Sequence, residues 1–305
     1  MIDRVAPRGT PAAGMGIIGA AILTAGAGEE AHARHDSGAI VMSSPGPIVD
    51  VAWLRANLGQ PGVVVIDARP VDHYLAGSIP GASHIDVNLL RIPYSTPEAV
   101  DAFVTAAGDA ARKAGLNGDE TVVFVEDFSG TLSARGVWLL DAIGHGGGAM
   151  LDGGLRAWLE DGGEIERPTA RPNLGTFQPE LNRSVTAMAE DLLAGGESGE
   201  MEIIDTRADQ EWQSGTIPAS LHVEWVRNLA PDGRFLPIEN LRSLYAEIGI
   251  TPASPPVATF CGSGFRAAHT YVVLKALGIP TTNYVPSWGE WSRRRDLPIA
   301  PPSGD

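Results

Sequence analysis

Two stretches of this 305-residue chain read as versions of one another, and that repetition limits the folds open to it more than any other feature. Residues Val63 to Arg69 (VVVIDAR) and Met201 to Arg207 (MEIIDTR) align with Asp67 and Asp205 standing 138 positions apart. At the same spacing Gly77-Ser78-Ile79-Pro80 falls on Gly215-Thr216-Ile217-Pro218, and His84 falls on His222. A period this long is a whole domain rather than a solenoid unit, so the chain carries one domain twice.

Each copy opens with a β-branched run that ends in Asp, the pattern of a buried strand stopped by a turn. A helical segment, a second strand and a further helix follow. The second strands are Val122 to Val125 and Val257 to Phe260; the helices after them run from about Ala134 to Ile143 and from about Ala267 to Leu277. Both helices end before a glycine, Gly144 and Gly278, as helix C-termini favour. Thr96-Pro97 supplies a cap residue and then a proline where another helix begins. Strands alternating with helices predict an α/β fold: two tandem domains, each a mainly parallel sheet with helices on both faces. The domains are set at 47–165 and 181–303, joined by a linker over 166–180 that includes the proline-rich Arg167 to Gly175.

Residues 1–41 differ from the rest. Arg4 and Arg8 precede a small apolar stretch from Ala12 to Ala27, and Ala31-His32-Ala33 follows. These are the parts of a secretory signal, but the apolar core is mostly Ala and Gly and too short to span a bilayer. The segment reads either as such a leader, which would make the protein exported, or as a disordered extension with Met42 as an alternative start. The second reading places the protein in the cytoplasm. With 22 basic and 37 acidic residues the net charge is −15, which repels phosphate backbones and argues against nucleic-acid binding. Nothing in the pattern calls for stable membrane association. A single cysteine excludes an intramolecular disulfide framework and a Cys-based zinc cage.

The two copies differ where chemistry would sit. After its second strand the later copy reads Cys261-Gly262-Ser263-Gly264-Phe265-Arg266, whereas the earlier one reads Glu126-Asp127-Phe128-Ser129-Gly130-Thr131-Leu132-Ser133, without a thiol and with an extra residue. In parallel α/β sheets ligands bind at the carboxyl ends of strands, against helix N-termini. Small residues there let backbone N–H groups turn inward as an anion nest. Helix N-termini and neighbouring cations lower a cysteine pKa from roughly 8.5 into the range of about 3.5–7.5, so Cys261 is the candidate nucleophile. Arg266 at a helix N-terminus is unfavourable for the helix itself, which points to a role toward an anionic ligand. Asp67 and Asp205 read as caps of the turns at strand ends. Arg69 and Arg207 recur in both copies, including the copy without a thiol, and read as structural. His84 and His222 recur without a His/His/acid spacing, so no metal is expected. His269 reads as packed or solvent-facing, and Gly146-Gly147-Gly148 as a flexible turn and not a phosphate loop.

With these residues in hand, the sequence from Ile48 to Pro301 resembles the tandem-domain sulfurtransferases of the rhodanese superfamily. The Asp67-Ala68-Arg69 and Gly77-x-Ile79-Pro80 elements, and their counterparts Asp205-Thr206-Arg207 and Gly215-x-Ile217-Pro218, are similar to that family's D-x-R and G-H-I-P signatures. Cys261 to Gly264 resembles its active-site loop, and Tyr284 through Ser287-Trp288 to Glu290-Trp291 its late aromatic stretch. The resemblance implies an inactive first domain, a catalytic second one, and no cofactor. It implies a relay in which Cys261 takes a sulfur from a small-molecule donor, becomes a persulfide and passes the sulfur to a thiophilic acceptor, with ping-pong kinetics. Inward N–H groups from Gly262 to Arg266, Phe265 among them, would hold the anion; Arg266 would pair with the donor's sulfonate or carboxylate and Ser263 would donate to it. Asp205 would brace the loop, with Arg207 and Trp288 in support.

Rhodanese-like phosphatases carry a loop one residue longer than the four residues between Cys261 and Arg266, so the sulfur reading is preferred. Neutral Gly262 and Ser263 resemble the mercaptopyruvate branch; Arg266 with Ala267-Ala268-His269-Thr270 is closer to bacterial thiosulfate enzymes, and thiosulfate is the donor favoured here. Both branches commonly have a substrate Arg where this chain has Glu211. The family's Y-D-G is Tyr284-Val285-Pro286, a change that would reshape the wall near Trp288. A second reading, a persulfide carrier that loads once and serves a protein acceptor, stays open beside the enzyme.

Overall fold

The computed structural model describes residues 45–169 and 172–301; the leader at 1–41 lies outside the described residues. The first copy runs β1 (Ile48–Val49), α1 (Val51–Asn57), β2 (Val63–Asp67), α2 (Val71–Ala76), β3 (Ser83–His84), α3 (Pro97–Lys113), β4 (Thr121–Val125), α4 (Thr131–Ala142), β5 (Gly148–Leu151) and α5 (Gly154–Glu160). The second runs β6 (Thr186–Ala187), α6 (Ala189–Ser198), β7 (Glu202–Asp205), α7 (Asp209–Trp212), β8 (Ser220–His222), α8 (Ile238–Ala246), β9 (Val257–Phe260), α9 (Phe265–Ala276), β10 (Thr281–Tyr284) and α10 (Ser287–Trp291). The sheets have orders β1-β5-β4-β2-β3 and β6-β10-β9-β7-β8, and every pairing between strands is parallel. The orders are the same once the second copy is renumbered, so the repeat read in sequence is a repeat of topology.

Central strands β4 and β9 are buried along nearly their whole length, which explains their continuous apolar runs without alternation. Their ends are held alike: the Ala68 amide donates to Val125 O and the Thr206 amide to Phe260 O, each at 2.9 Å. The register sets Asp67 beside Val125 and Asp205 beside Phe260, so the next residues, Glu126 and Cys261, occupy equivalent places. At α3, Thr96 accepts from the Ala99 amide at 3.3 Å and Pro97 opens the first turn, as the sequence predicts. Helices α4 and α9 begin two or three residues earlier than their apolar periodicity indicates, because the polar first turns carry the loop chemistry and not the core.

Among the described residues three apolar clusters hold the fold. One backs the outer face of the first sheet and one the outer face of the second. The largest is shared: Trp138, Leu139 and Leu140 of α4 and Tyr271, Val272 and Leu274 of α9 belong to a single cluster. Each such side chain stabilises the folded state by about 1.5–3 kcal/mol relative to exposure. Helix α4 sits close on β4 because Gly136 has no side chain; a Cβ there would lie 2.3 Å from the Phe124 ring.

Polar groups finish this seam. Asp141 Oδ2 accepts from the Tyr271 hydroxyl at 2.7 Å and from Lys275 Nζ at 2.5 Å, and His269 Nε2 lies 3.0 Å from Ser129 O. Ser95 donates to Glu290 from its amide and hydroxyl, at 2.8 and 2.6 Å, while its oxygen accepts the Ala189 amide. The linker is packed against the first copy near its end: Phe177 is buried, its carbonyl accepts from Arg112 at 3.0 Å, and its amide donates to Leu116 O. Gly148 is likewise the first residue of β5, paired with Val122, so the triple-glycine segment is part strand and not wholly a turn.

Candidate active site

Cys261 follows β9 directly, buried to 1% exposure, and its Sγ accepts the Gly264 amide at 3.1 Å. The loop that returns from it to α9 is pinned from the far side by the start of α10. The Cys261 amide donates to Ser287 Oγ at 3.2 Å, and the Trp288 and Gly289 amides donate to Cys261 O and Gly262 O at 2.9 and 3.0 Å. Asn283 Nδ2 closes the other flank by donating to Gly264 O at 3.0 Å. Gly264 has φ +82°, and a Cβ on it would lie 2.9 Å from Val285 Cα, so both conformation and space require glycine here. Gly262 is different: its side-chain space is limited by Arg266 Nη2 at 3.3 Å, so the guanidinium, not the backbone, is its constraint. Ser263 is exposed at the loop's crest.

The sequence reading leaves Arg266 free to receive an anion; the structure gives it a partner. Its Nη1 and Nη2 donate to the two carboxylate oxygens of Glu211, at 2.5 and 2.9 Å, in the forked arrangement that matches guanidinium to carboxylate. Glu211 is held below the ordinary carboxylate range chiefly by this bond, and Arg266 is raised by the same bond against the opposing effect of burial. Glu211 also accepts the Ala208 amide at 3.2 Å, closing the first turn of the short α7. Phe265 does not only lend an amide to the loop: its ring lies under the guanidinium of Arg91 at 5.6 Å and that of Arg135 at 5.3 Å.

Asp205 and Arg207 form a buried fork. Arg207 Nε lies 2.9 and 3.0 Å from the two Asp205 oxygens, its Nη2 reaches Gly215 O at 2.7 Å, and Thr216 Oγ1 donates to Asp205 at 3.0 Å. The pair thus ties the strand end to the Gly-x-Ile-Pro turn. The first copy does the same with Asp67, Arg69 and Gly77 O. Asp205 does not brace the cysteine loop directly. Its influence passes through Arg207, whose guanidinium stacks 4.4 Å from the Trp288 ring. The residue that does bond to the strand end beside Cys261 is Thr206, through its amide and its hydroxyl. His269 is fully buried, stacked on Phe235, and burial lowers its pKa to about 4, so it is a packed neutral group.

Two residues of the first copy gain importance only in three dimensions. Arg135 of α4 is fully buried; Nη2 donates to Leu90 O at 3.0 Å, while Nε and Nη1 have no acceptor among the described residues. Its guanidinium lies 4.2 Å from the Trp138 ring, and burial lowers its pKa to about 9, with the Cys261 charge acting in the opposite direction. An arginine amid the apolar run Ala134 to Ala142 is the one sequence signal of it. Glu126 takes the place that Cys261 has in the second copy. Its carboxyl folds inward against Gly130 and accepts the Ser133 amide at 2.8 Å, so the helix start is occupied by the chain's own side chain. Among the described residues no cluster of three or more His, Cys, Asp or Glu side chains is placed to hold a metal ion, and no helix is long and apolar enough to cross a membrane.

Two equivalent parallel sheets, one with a buried cysteine at a strand end and a tight loop into the next helix, define a class. The rhodanese-like domain matches residues 50–161 and again 188–294, and the chain belongs to the rhodanese-like family in its tandem-domain form. Among similar proteins, the thiosulfate sulfurtransferase of Pseudomonas aeruginosa is 29% identical over 264 residues, covering 83% of this chain and 96% of the relative. The sulfur carrier protein TtuD of Thermus thermophilus is 29% identical over 283 residues, covering 84% and 97%. Of solved structures, SseA from Escherichia coli, described with the rhodanese fold and mechanism of 3-mercaptopyruvate sulfotransferases, superposes with a TM-score of 0.69 at 25% identity. It covers 81% of this chain and 100% of that one. By family and relatives the protein is an enzyme of the sulfurtransferase kind.

Proposed function

We propose that the protein moves a sulfane sulfur from thiosulfate to a thiophilic acceptor through a persulfide on Cys261. The observation that carries this is the Gly264 amide donating to Cys261 Sγ at 3.1 Å, at the start of α9. The thiolate attacks the outer sulfur of thiosulfate; the S–S bond of the donor breaks, sulfite leaves with the electron pair, and Cys261 carries –S–S⁻. Cyanide or a thiolate then attacks the terminal sulfur and returns the Cys261 thiolate. The N-terminus of α9 and the Gly264 amide stabilise the negative sulfur in both resting and loaded forms. Residues 181–303 form the catalytic half in this reading. Residues 47–165 form the non-catalytic half, where Glu126 fills the equivalent place.

Thiosulfate is preferred to 3-mercaptopyruvate as donor because the loop and the residues after it resemble bacterial thiosulfate enzymes, and relatives from Pseudomonas aeruginosa, Azotobacter vinelandii and Corynebacterium glutamicum are thiosulfate sulfurtransferases. The likeness to TtuD favours a second reading, in which the Cys261 persulfide is delivered to a protein acceptor. Intact mass after thiosulfate, separately after mercaptopyruvate, and then after cyanide tests the proposal. One added sulfur that cyanide removes and that Cys261→Ser abolishes is the expected result, with many turnovers on cyanide for an enzyme and a single loading for a carrier. No sulfur gain from either donor rejects the relay.

A further inference from the structure

The cation in the cysteine loop is already neutralised by the chain itself. Arg266 presents its fork to Glu211, with both terminal nitrogens taken at 2.5 and 2.9 Å. The guanidinium lies against the loop, because Nη2 is the atom a Gly262 side chain would meet at 3.3 Å. The side chains of Arg266 and Glu211 are 27% and 43% exposed, so the pair stands at the solvent side of Cys261 and not in the core. A sulfonate or carboxylate arriving at Cys261 thus meets a guanidinium whose bidentate face holds another carboxylate. To use that face it must displace Glu211 and leave the displaced charge beside it. An uncharged thiol or persulfide has no such need.

Building on the sulfur relay proposed above, we infer that Glu211 is a specificity-determining residue. It occupies the anion seat on Arg266 and so biases the site against dianionic donors and acceptors and toward uncharged thiol and persulfide partners. The carboxylate also caps Ala208, a role that Gln retains through its amide oxygen, so Glu211→Gln removes the charge and keeps the turn.

The test compares wild type and Glu211→Gln, with Glu211→Ala as a second variant. Persulfide loading is followed by intact mass against thiosulfate concentration. Discharge of the loaded protein is then timed with 2-mercaptoethanol, which is uncharged, and with mercaptosuccinate, which is a dianion. Losing one negative charge a few ångströms from a dianion in a water-exposed site should change its apparent affinity by about tenfold. The expected results are an approximately tenfold lower thiosulfate KM and a similar rise in the ratio of mercaptosuccinate to 2-mercaptoethanol discharge rates. A KM and a ratio that stay at the wild-type values in both variants overturn the inference, as does an equal change for charged and uncharged thiols. If wild type acquires no sulfur from any donor, the relay itself fails and the inference with it.

Discussion

Glu126 is the group most open to a quantitative test. It is 6% exposed, and burial, reinforced by Asp127 and Asp67 and opposed by the Ser133 and Leu132 amides, raises its pKa to about 7 from the ordinary 4.5. At 1.36 kcal/mol per pKa unit this difference corresponds to about 3 kcal/mol between the two protonation states. The folded pKa lies above the unfolded one, so the contribution of protonated Glu126 is fully present below pH 4.5 and is lost as pH rises through about 7. Glu126→Gln keeps an acceptor for the Ser133 amide and cannot ionise, so it removes this loss. Thermal unfolding of both proteins followed by circular dichroism at pH 5 and pH 8 measures the difference directly, since every other titrating group is common to both. The Tm of the variant should rise relative to wild type by about 4–6 °C between the two pH values, since an unfolding entropy of about 2.1 cal/mol/K per residue gives somewhat under 2 °C per kcal/mol for a chain of this size. A Tm difference that is the same at both pH values would refute the reasoning.

Two further perturbations act on the loop from opposite sides. Gly264→Ala forces a Cβ into the Val285 backbone at a left-handed φ of +82°; it should cost about 1–3 kcal/mol in urea unfolding and abolish sulfur loading, because the amide that reaches Sγ moves. Arg135→Met removes a buried cation with two unpartnered nitrogens, so stability should hold or rise, while sulfur loading measured by intact mass slows by about tenfold as a positive charge near Cys261 is lost. A variant that is both less stable and equally fast would contradict both halves of that expectation.

The tandem α/β architecture was legible because its signals are local. The runs ending in Asp67 and Asp205 and the Gly-x-Ile-Pro turns sit within short windows and recur, so one copy corroborates the other. The cysteine loop was legible for the same reason, since Cys261 to Arg266 are contiguous. What escaped depends on distance in the chain. Glu211 and Arg266 are 55 residues apart, and nothing in either neighbourhood announces that they pair. Glu126 read as the mere absence of a thiol, although its carboxyl fills the helix start that a ligand would otherwise use. Asp205 bonds to Arg207 and Thr216, while Thr206 next to it bonds to the end of β9, and an uncharged threonine gives no signal of that contact in the sequence. Arg135 is one charge in an apolar helix, and only the packing of α4 against α9 brings it under the influence of Cys261.

The seam between α4 and α9 also bears on how the two copies can change over generations. A duplicated domain that lacks the thiol of its sister copy would ordinarily be free to drift. Here one wall of the helix that follows Cys261 is written in the other copy. Any change at Asp141 must be answered at Tyr271 and Lys275, 130 and 134 positions later in the same chain. The first copy is therefore bound to the second by shared inheritance of shape: along this seam neither half can be revised, shortened or exchanged without a matching edit in the other.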